Sequence, residues 1–310
     1  MTLGERTVGR PPPDVASVSV RVKAEGGPVA PTVVQAAEVA AKLGTQREVL
    51  LLVHGFNNDT TEANAAYDKF MSLIADRVGA RGIDFNAIGL VFWPGDADLG
   101  AIDALDFVSY PTDVRDALGS ARVLAPFLAA LGGPGGAPPR LTIVAHSLGC
   151  RVTLELLKLA GGLDVRAIFL MAAAVPVDLV EPGAELERAA GFAADRMVLY
   201  SPGDNVLRFA FPPGQGLAYT MGIERAPYAE AVGLFGEPDG FAPAVRCLRS
   251  YFTVVGEHGH YWRDDFVATT ILDRLEGATR RLPMAVIDDR GLPPARELAA
   301  RDIPDRTIGL

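Results

Sequence analysis

Three segments of the sequence carry a hydroxyl, a carboxylate and an imidazole, and they occur in that order along the chain. Ser147 follows the mostly apolar run "LTIVAH", Asp204 ends "LYSPGD", and His258 lies in "EHGHYW". A serine hydroxyl is a weak nucleophile until a base removes its proton, and the base needs a buried carboxylate that orients it and stabilises its positive charge. These residue types in this order therefore predict nucleophilic catalysis at Ser147.

The position of Ser147 supports this prediction. It lies between a predicted strand and a predicted helix, and the residues two positions before and after it, Ala145 and Gly149, are small. A serine in such a strand–turn–helix adopts strained backbone angles that lift its Oγ clear of the sheet, and small neighbours let strand and helix approach each other. The turn is thus predicted to expose the Ser147 hydroxyl.

Apolar runs alternate with helical patterns along most of the chain. The predicted strands are 15–24, 48–56, 87–96, 141–147, 165–175, 195–204 and 250–259. The predicted helices are 62–78, 109–131, 148–161 and 264–277. This alternation predicts an α/β fold with a mostly parallel sheet and helices on both faces, with the half-polar strand 15–24 at a sheet edge. Ligands bind at the carboxyl ends of parallel strands, where Ser147, Asp204 and His258 are predicted to meet.

One domain is predicted over residues 15–282, after an extension at 1–14 and before a C-terminal tail at 283–310. Within it, residues 205–248 break the alternation, are rich in Gly, Pro and aromatic residues, and predict an irregular, lid-like insertion between the acid and the histidine. Its apolar side chains indicate a substrate with an apolar group, and they are Phe209, Phe211, Leu217, Tyr219, Met221 and Leu234.

The segments "LLLVHGFNN", "FWPGD", "TIVAHSLGCRV" and "LYSPGDNVLR" together resemble the α/β-hydrolase superfamily, over roughly residues 48–278. The similarity is greatest to uncharacterised bacterial members with a Ser-Asp-His triad. "AHSLG" departs from the pattern Gly-x-Ser-x-Gly in having Ala145 at its first position, a common variant in the superfamily. The resemblance implies an α/β-hydrolase fold with Ser147 as nucleophile, Asp204 as acid and His258 as base.

Two of these assignments have alternatives in the sequence. Asp178 follows the preceding strand, where some superfamily members carry their acid, and His260 lies two residues after His258. The oxyanion formed in acyl transfer needs fixed N–H donors, and Leu148 N–H is expected to be one because it starts the helix after Ser147. The resemblance implies Phe56 N–H as the other.

Composition narrows the class of partner. The formal net charge of −9 disfavours nucleic acids and anionic membrane surfaces as partners. The two cysteines, Cys150 and Cys247, form no Cys-x-x-Cys zinc spacing and cannot build a disulfide framework. Neither a secretory h-region nor an apolar run of about twenty residues is seen, so no membrane insertion is predicted and a cytoplasmic location is expected.

The function predicted from the sequence is that of a serine hydrolase, which cleaves an ester or related acyl bond of a small molecule through an acyl-enzyme on Ser147. No metal or organic cofactor is expected. An acyltransferase would use the same residues. A third hypothesis is a non-catalytic binding protein on a hydrolase fold, favoured if Ser147 is buried or if no histidine nitrogen reaches it. The sequence leaves the oligomeric state open.

Overall fold

The computed structural model of the chain describes residues 13–21, 23–24, 27–56, 60–95, 108–133, 136–159, 161–236, 244–246 and 258–280. The predicted tail 283–310 and most of the predicted extension 1–14 lie outside these residues. The strands described are β1 (Asp14–Ser19), β2 (Lys23–Ala24), β3 (Gly27–Pro28), β4 (Glu48–Val53), β5 (Ala87–Phe92), β6 (Arg140–His146), β7 (Asp164–Met171), β8 (Ala193–Tyr200) and β9 (Ala244–Arg246).

Seven of these strands form one sheet in the order β1-β5-β4-β6-β7-β8-β9, and each neighbouring pair is parallel. β2 and β3 form a separate antiparallel pair. Because the seven strands run the same way, their carboxyl ends share one edge of the sheet. The segments that begin at His54, Ser147 and Ser201 all leave the sheet at that edge.

The helices described are α1 (Val33–Leu43), α2 (Thr60–Val78), α3 (Tyr110–Ala129), α4 (Leu148–Leu159), α5 (Phe211–Thr220), α6 (Val232–Phe235) and α7 (Asp265–Arg280). α3 packs against α4, and α2 packs against α7. All six residues of β5 and the last six of β6 are buried. Since successive strand residues point to opposite faces, helices cover both faces of the sheet. The predicted α/β class is confirmed.

Helix α1 was not predicted. Thr32 caps it, with its hydroxyl accepting a hydrogen bond from Gln35 N–H at 3.2 Å. Only Val39 and Leu43 of α1 are buried, while Val33 and Val34 are exposed. The inward-facing residues Ala36, Val39, Ala40 and Leu43 do follow helical spacing, but half of this stripe is alanine and the exposed Val33 and Val34 obscure it in the sequence.

The predicted last strand, 250–259, is wrong at its carboxyl end. His258 and Gly259 belong to a 3₁₀ turn that spans His258–Arg263, and residues 250–257 lie outside the described part of the chain. The last strand described is β9, which lies within the predicted insertion. Three residues are too few for alternation to reveal a strand.

The predicted irregular insertion is largely helical where it is described. A π-helical turn, Val206–Ala210, leads directly into α5, and α6 follows. Pro212 and Pro213 lie in the first turn of α5, where the missing N–H costs nothing because a helix leaves its first N–H groups without an internal acceptor. The prolines that suggested a loop are therefore compatible with a helix.

A buried ion cluster fastens this insertion to α4. Arg151 Nε lies 3.0 Å from Glu155 Oε1, and its Nη1 lies 3.1 Å from Glu224 Oε1, just after α5. All three side chains are at most 5 % exposed, so the charges are held away from water. Burial raises the pKa of the Glu224 carboxyl, and the charge of Arg151 opposes that rise.

Removing Arg151 leaves the buried carboxylate of Glu224 without its cation, and Glu155 keeps only Lys158, whose Nζ lies 3.4 Å from Glu155 Oε2. We expect Arg151→Met to lower the free energy of unfolding by about 3–5 kcal/mol, measured by urea denaturation. The control is Arg140→Met, because Arg140 pairs with Glu48 and Asp164 at 48 % exposure and its loss is expected to cost less than about 1 kcal/mol. Equal losses in the two variants would contradict a stabilising role of the buried cluster.

Candidate active site

Ser147 forms a strained turn between β6 and α4. Its φ is 52°, in the left-handed region that residues with a Cβ rarely adopt. Such a conformation persists only where the surroundings fix it. Ser147 N–H donates to Met171 O at 2.9 Å, and Ser147 O accepts from Cys150 N–H at 3.0 Å and Ala174 N–H at 3.2 Å. Strand β7 and the residues after it thus hold the serine backbone.

Two glycines let the segment after β4 approach this turn. A Cβ on Gly149 would lie 2.2 Å from the carbonyl oxygen of His54, and a Cβ on Gly55 would lie 2.8 Å from the Cβ of Ser147. Neither distance is possible for a real side chain. Gly149 and Gly55 are therefore required for the contact between the segment 54–56 and the serine turn.

His258 and Asp204 complete a continuous hydrogen-bond path to the serine. His258 Nδ1 lies 2.7 Å from Asp204 Oδ2, and His258 Nε2 lies 2.7 Å from Ser147 Oγ. A carboxylate oxygen only accepts, so Nδ1 carries the ring proton and Nε2 is left to accept the serine hydroxyl proton. The structure therefore brings the three predicted residues together in the order acid, base, nucleophile.

The acid is held in place by its own loop. Asp204 is 1 % exposed, and its second oxygen, Oδ1, accepts a hydrogen bond from Leu207 N–H at 3.0 Å. The guanidinium of Arg208 donates to the carbonyl of Pro202 in the same loop. With Oδ1 occupied by the backbone, Oδ2 is the oxygen that faces His258.

The two alternative residues lie elsewhere. His260 is exposed on the 3₁₀ turn that begins at His258. Asp178 lies in the short turn Val177–Leu179 after β7, and burial raises the pKa of its carboxyl. His258 Nδ1–H donates to Asp204, and the histidine that reaches Ser147 is His258.

The proposed oxyanion donors lie on the two sides of the serine. Leu148 is the first residue of α4, so its N–H is one of those that a helix leaves without an internal acceptor. Phe56 follows Gly55, the residue in contact with Ser147, and it is partly buried against the core. The serine turn thus lies next to both the N-terminus of α4 and the segment after β4.

His54 fixes this segment through hydrogen bonds of its ring and its backbone. Its Nδ1–H donates to Gly55 O at 2.7 Å, and its Nε2 accepts from Trp93 N–H at 3.3 Å. Its backbone N–H donates to the Tyr67 hydroxyl at 2.7 Å, and that hydroxyl donates to Val91 O at 2.7 Å. The segment that carries Phe56 is therefore tied to both α2 and β5.

Sequence reasoning assigned no role to His146, the residue before Ser147. His146 is 3 % exposed, and its Nε2–H donates to the backbone carbonyl of His258 at 2.5 Å. Burial and the neighbouring His258 lower the pKa of His146 to about 3. Its place directly before the nucleophile was the available signal, but that position alone does not indicate which atoms the ring contacts.

The apolar side chains predicted to bind substrate differ in their exposure. Phe211 and Leu234 are buried in the core, and Phe209, Tyr219 and Met221 are 68 %, 45 % and 47 % exposed. Leu217, the sixth, is half-buried. Among the described residues, no three His, Cys, Asp or Glu side chains are grouped as around a metal ion. None of the helices described has the length and apolar character needed to span a membrane.

Comparison with known proteins places the chain in a family. Residues 33–211, more than half of the chain, match the model of a family described as "Alpha/beta hydrolase of unknown function (DUF900)". The chain belongs to this α/β-hydrolase family. The matched range includes the serine turn and the acid loop, and it ends before His258.

Two solved structures that match the chain are distant from it in sequence. MenH from S. aureus is 11 % identical, with a TM-score of 0.34 over 76 % of this chain and 95 % of that chain. A tributyrin phosphonate-inhibited esterase B from Lactobacillus rhamnosis is 9 % identical, with a TM-score of 0.32 over 76 % of this chain and 78 % of that chain. No curated protein matches the sequence.

The low pKa of His146 makes stability depend on pH. Its ordinary value is 6.5 and its folded value is about 3, so between these values the unfolded chain binds a proton that the folded chain does not. The titratable groups that neighbour this ring are His258, Asp204 and His54. Stability from this group is complete above pH 6.5 and falls as the pH decreases, by about 2 kcal/mol from pH 7.5 to pH 5.

His146→Gln cannot titrate, so wild-type protein is expected to lose about 2 kcal/mol more than this variant between pH 7.5 and pH 5 in urea denaturation. His260→Gln, which removes an exposed histidine, serves as the control and is expected to follow the wild type. Parallel pH dependence of His146→Gln and wild type would contradict a neutral, buried His146.

Proposed function

We propose that the protein is a serine hydrolase that cleaves an ester or a related acyl bond of a small-molecule substrate. The observation that carries the proposal is the path from Asp204 through His258 to Ser147, with both hydrogen bonds at 2.7 Å. A nucleophile in contact with a base, and the base in contact with a buried carboxylate, is the arrangement that activates a serine hydroxyl.

The reaction would proceed in two half-reactions. Ser147 Oγ attacks the carbonyl carbon while His258 Nε2 takes the hydroxyl proton. The tetrahedral intermediate collapses to an acyl-enzyme, and the same proton passes from Nε2 to the departing alcohol. Water then attacks the acyl-enzyme with His258 as base, which releases the acid and restores the serine. Asp204 stabilises the imidazolium that forms in each half-reaction.

Negative charge on the substrate oxygen is proposed to be stabilised by the N–H groups of Leu148 and Phe56. The N-terminus of α4 contributes positive potential from the helix dipole at this point. The tight packing of Gly55 on Ser147 supports the second donor, because it keeps the segment that carries Phe56 against the serine.

One observation favours the alternative of a non-catalytic binding protein. Ser147 is only 5 % exposed, and a substrate carbonyl has to reach its Oγ. The contact between Ser147 and His258 favours the hydrolase, because a binding protein has no need of a base at hydrogen-bond distance from the hydroxyl. Reaction with an electrophile that requires an activated serine separates the two.

The first test is covalent labelling with a fluorophosphonate, followed by mass mapping of the modified peptide. We expect labelling of wild-type protein on the peptide that contains Ser147 and none in Ser147→Ala. With p-nitrophenyl butyrate as substrate, Ser147→Ala is expected to lower kcat by about a millionfold. Folded wild-type protein that stays unlabelled would contradict the proposal and support a binding function.

The second test distinguishes the two candidate acids. Asp204→Asn is expected to lower kcat by about ten-thousandfold, because an amide no longer holds His258 in the required tautomer. Asp178→Asn is the matched control and is expected to remain near the wild-type rate. A larger loss in Asp178→Asn than in Asp204→Asn would exchange the two assignments.

A further inference from the structure

The His146 side chain lies at the junction of the three segments that form the site. Its Nε2–H donates to the backbone carbonyl of His258, and its ring centre lies 4.9 Å from that of the His258 ring. On its other side, a Cβ on Gly55 would come within 2.7 Å of His146 Nδ1. His146 therefore contacts both the turn that carries the base and the segment that carries the proposed oxyanion donor, and it directly precedes the nucleophile.

Buried aromatic side chains pack around the His146 ring. The ring centre of His146 lies 6.0 Å from that of Tyr261 and 6.1 Å from that of Trp262. Trp262 in turn packs edge-on against Tyr67 and Phe70 of α2, at 5.4 and 5.6 Å. These rings are buried, so the His146 imidazole has little freedom to rotate.

We propose that His146 is a positioning residue, which holds the backbone of His258 so that the imidazole stays aligned between Ser147 and Asp204. This inference rests on the proposed hydrolase function. It assigns His146 no contact with the substrate and no proton transfer.

The need for such a contact follows from the reaction itself. The hydrogen bond between His258 Nε2 and Ser147 Oγ is lost when the serine attacks, and Nε2 must then face the leaving group. The hydrogen bond from His146 goes to the backbone of His258, so neither half-reaction breaks it. It therefore fixes the base at the stages when its bond to the serine is absent.

The direction of this hydrogen bond makes the proposal testable with isosteric amides. A glutamine amide nitrogen can occupy the position of His146 Nε2, whereas the shorter asparagine places its amide near the position of Nδ1. His146→Gln can therefore keep the donor to the His258 carbonyl, and His146→Asn cannot. The two variants differ by one methylene and introduce the same functional group.

The experiment measures the rate constant of fluorophosphonate labelling at Ser147, and kcat and KM for p-nitrophenyl butyrate, in wild type, His146→Gln, His146→Asn and His146→Leu. We expect His146→Asn and His146→Leu to lose about a hundredfold in labelling rate and kcat, with little change in KM, because a small displacement of a catalytic group has this effect. His146→Gln is expected to recover most of the lost rate. Circular dichroism restricts the comparison to folded variants.

The outcomes separate this inference from the proposed function. If wild-type protein is labelled at Ser147 and the Asn and Gln variants react equally fast, the positioning role is wrong and the hydrolase proposal stands. If His146→Leu does not fold, the Gln and Asn pair decides. If wild-type protein is not labelled, the proposed function fails and the positioning role fails with it.

Discussion

The backbone of Ser147, held at a φ of 52°, is the constraint on which the arrangement of the site depends. A non-glycine residue in this region costs on the order of 1–3 kcal/mol, which neighbouring contacts must offset. Three contacts offset this cost: Ser147 N–H donates to Met171 O, Ala174 N–H donates to Ser147 O, and Gly149 packs closely on the segment after β4. The same contacts connect the ends of β4, β6 and β7, so the interactions that hold the strained turn also hold these three strands together.

Two buried groups of ionisable side chains, around Asp204 and around Arg151, are stabilised in different ways. In the site, the Asp204 carboxylate faces the neutral ring of His258 and a backbone N–H, so a proton moving to His258 creates an opposite charge beside it. Between α4 and the insertion, Arg151 forms buried ion pairs with the carboxylates of Glu155 and Glu224. In the proposed reaction, the first arrangement would stabilise a charge that forms on His258, whereas the second holds two segments together.

Much of this architecture could be predicted from the sequence, because strands buried on both faces give continuous apolar runs and the serine turn has a characteristic composition. The sequence could not separate Asp204 from Asp178, since both follow strands on the same side of β6. Their difference lies in the loop, where Leu207 N–H directs one oxygen of Asp204 away and leaves the other for His258. His258 and His260 occur in the same short motif. The 3₁₀ turn that contains both has three residues per turn, so side chains two positions apart point in different directions. The contact of His146 with a carbonyl 112 residues later has no local signature.

The residues of the site are far apart in sequence, and this separation determines how much of the chain must be synthesised before the site can form. His258 is 111 residues from Ser147 and 54 from Asp204. The contacts that hold the serine turn in its strained conformation all lie between His54 and Ala174. A domain generally folds as a unit. The proposed base can therefore reach Ser147 only after the last described segment of the domain has been synthesised, and the proposed activity would require the folded domain through α7.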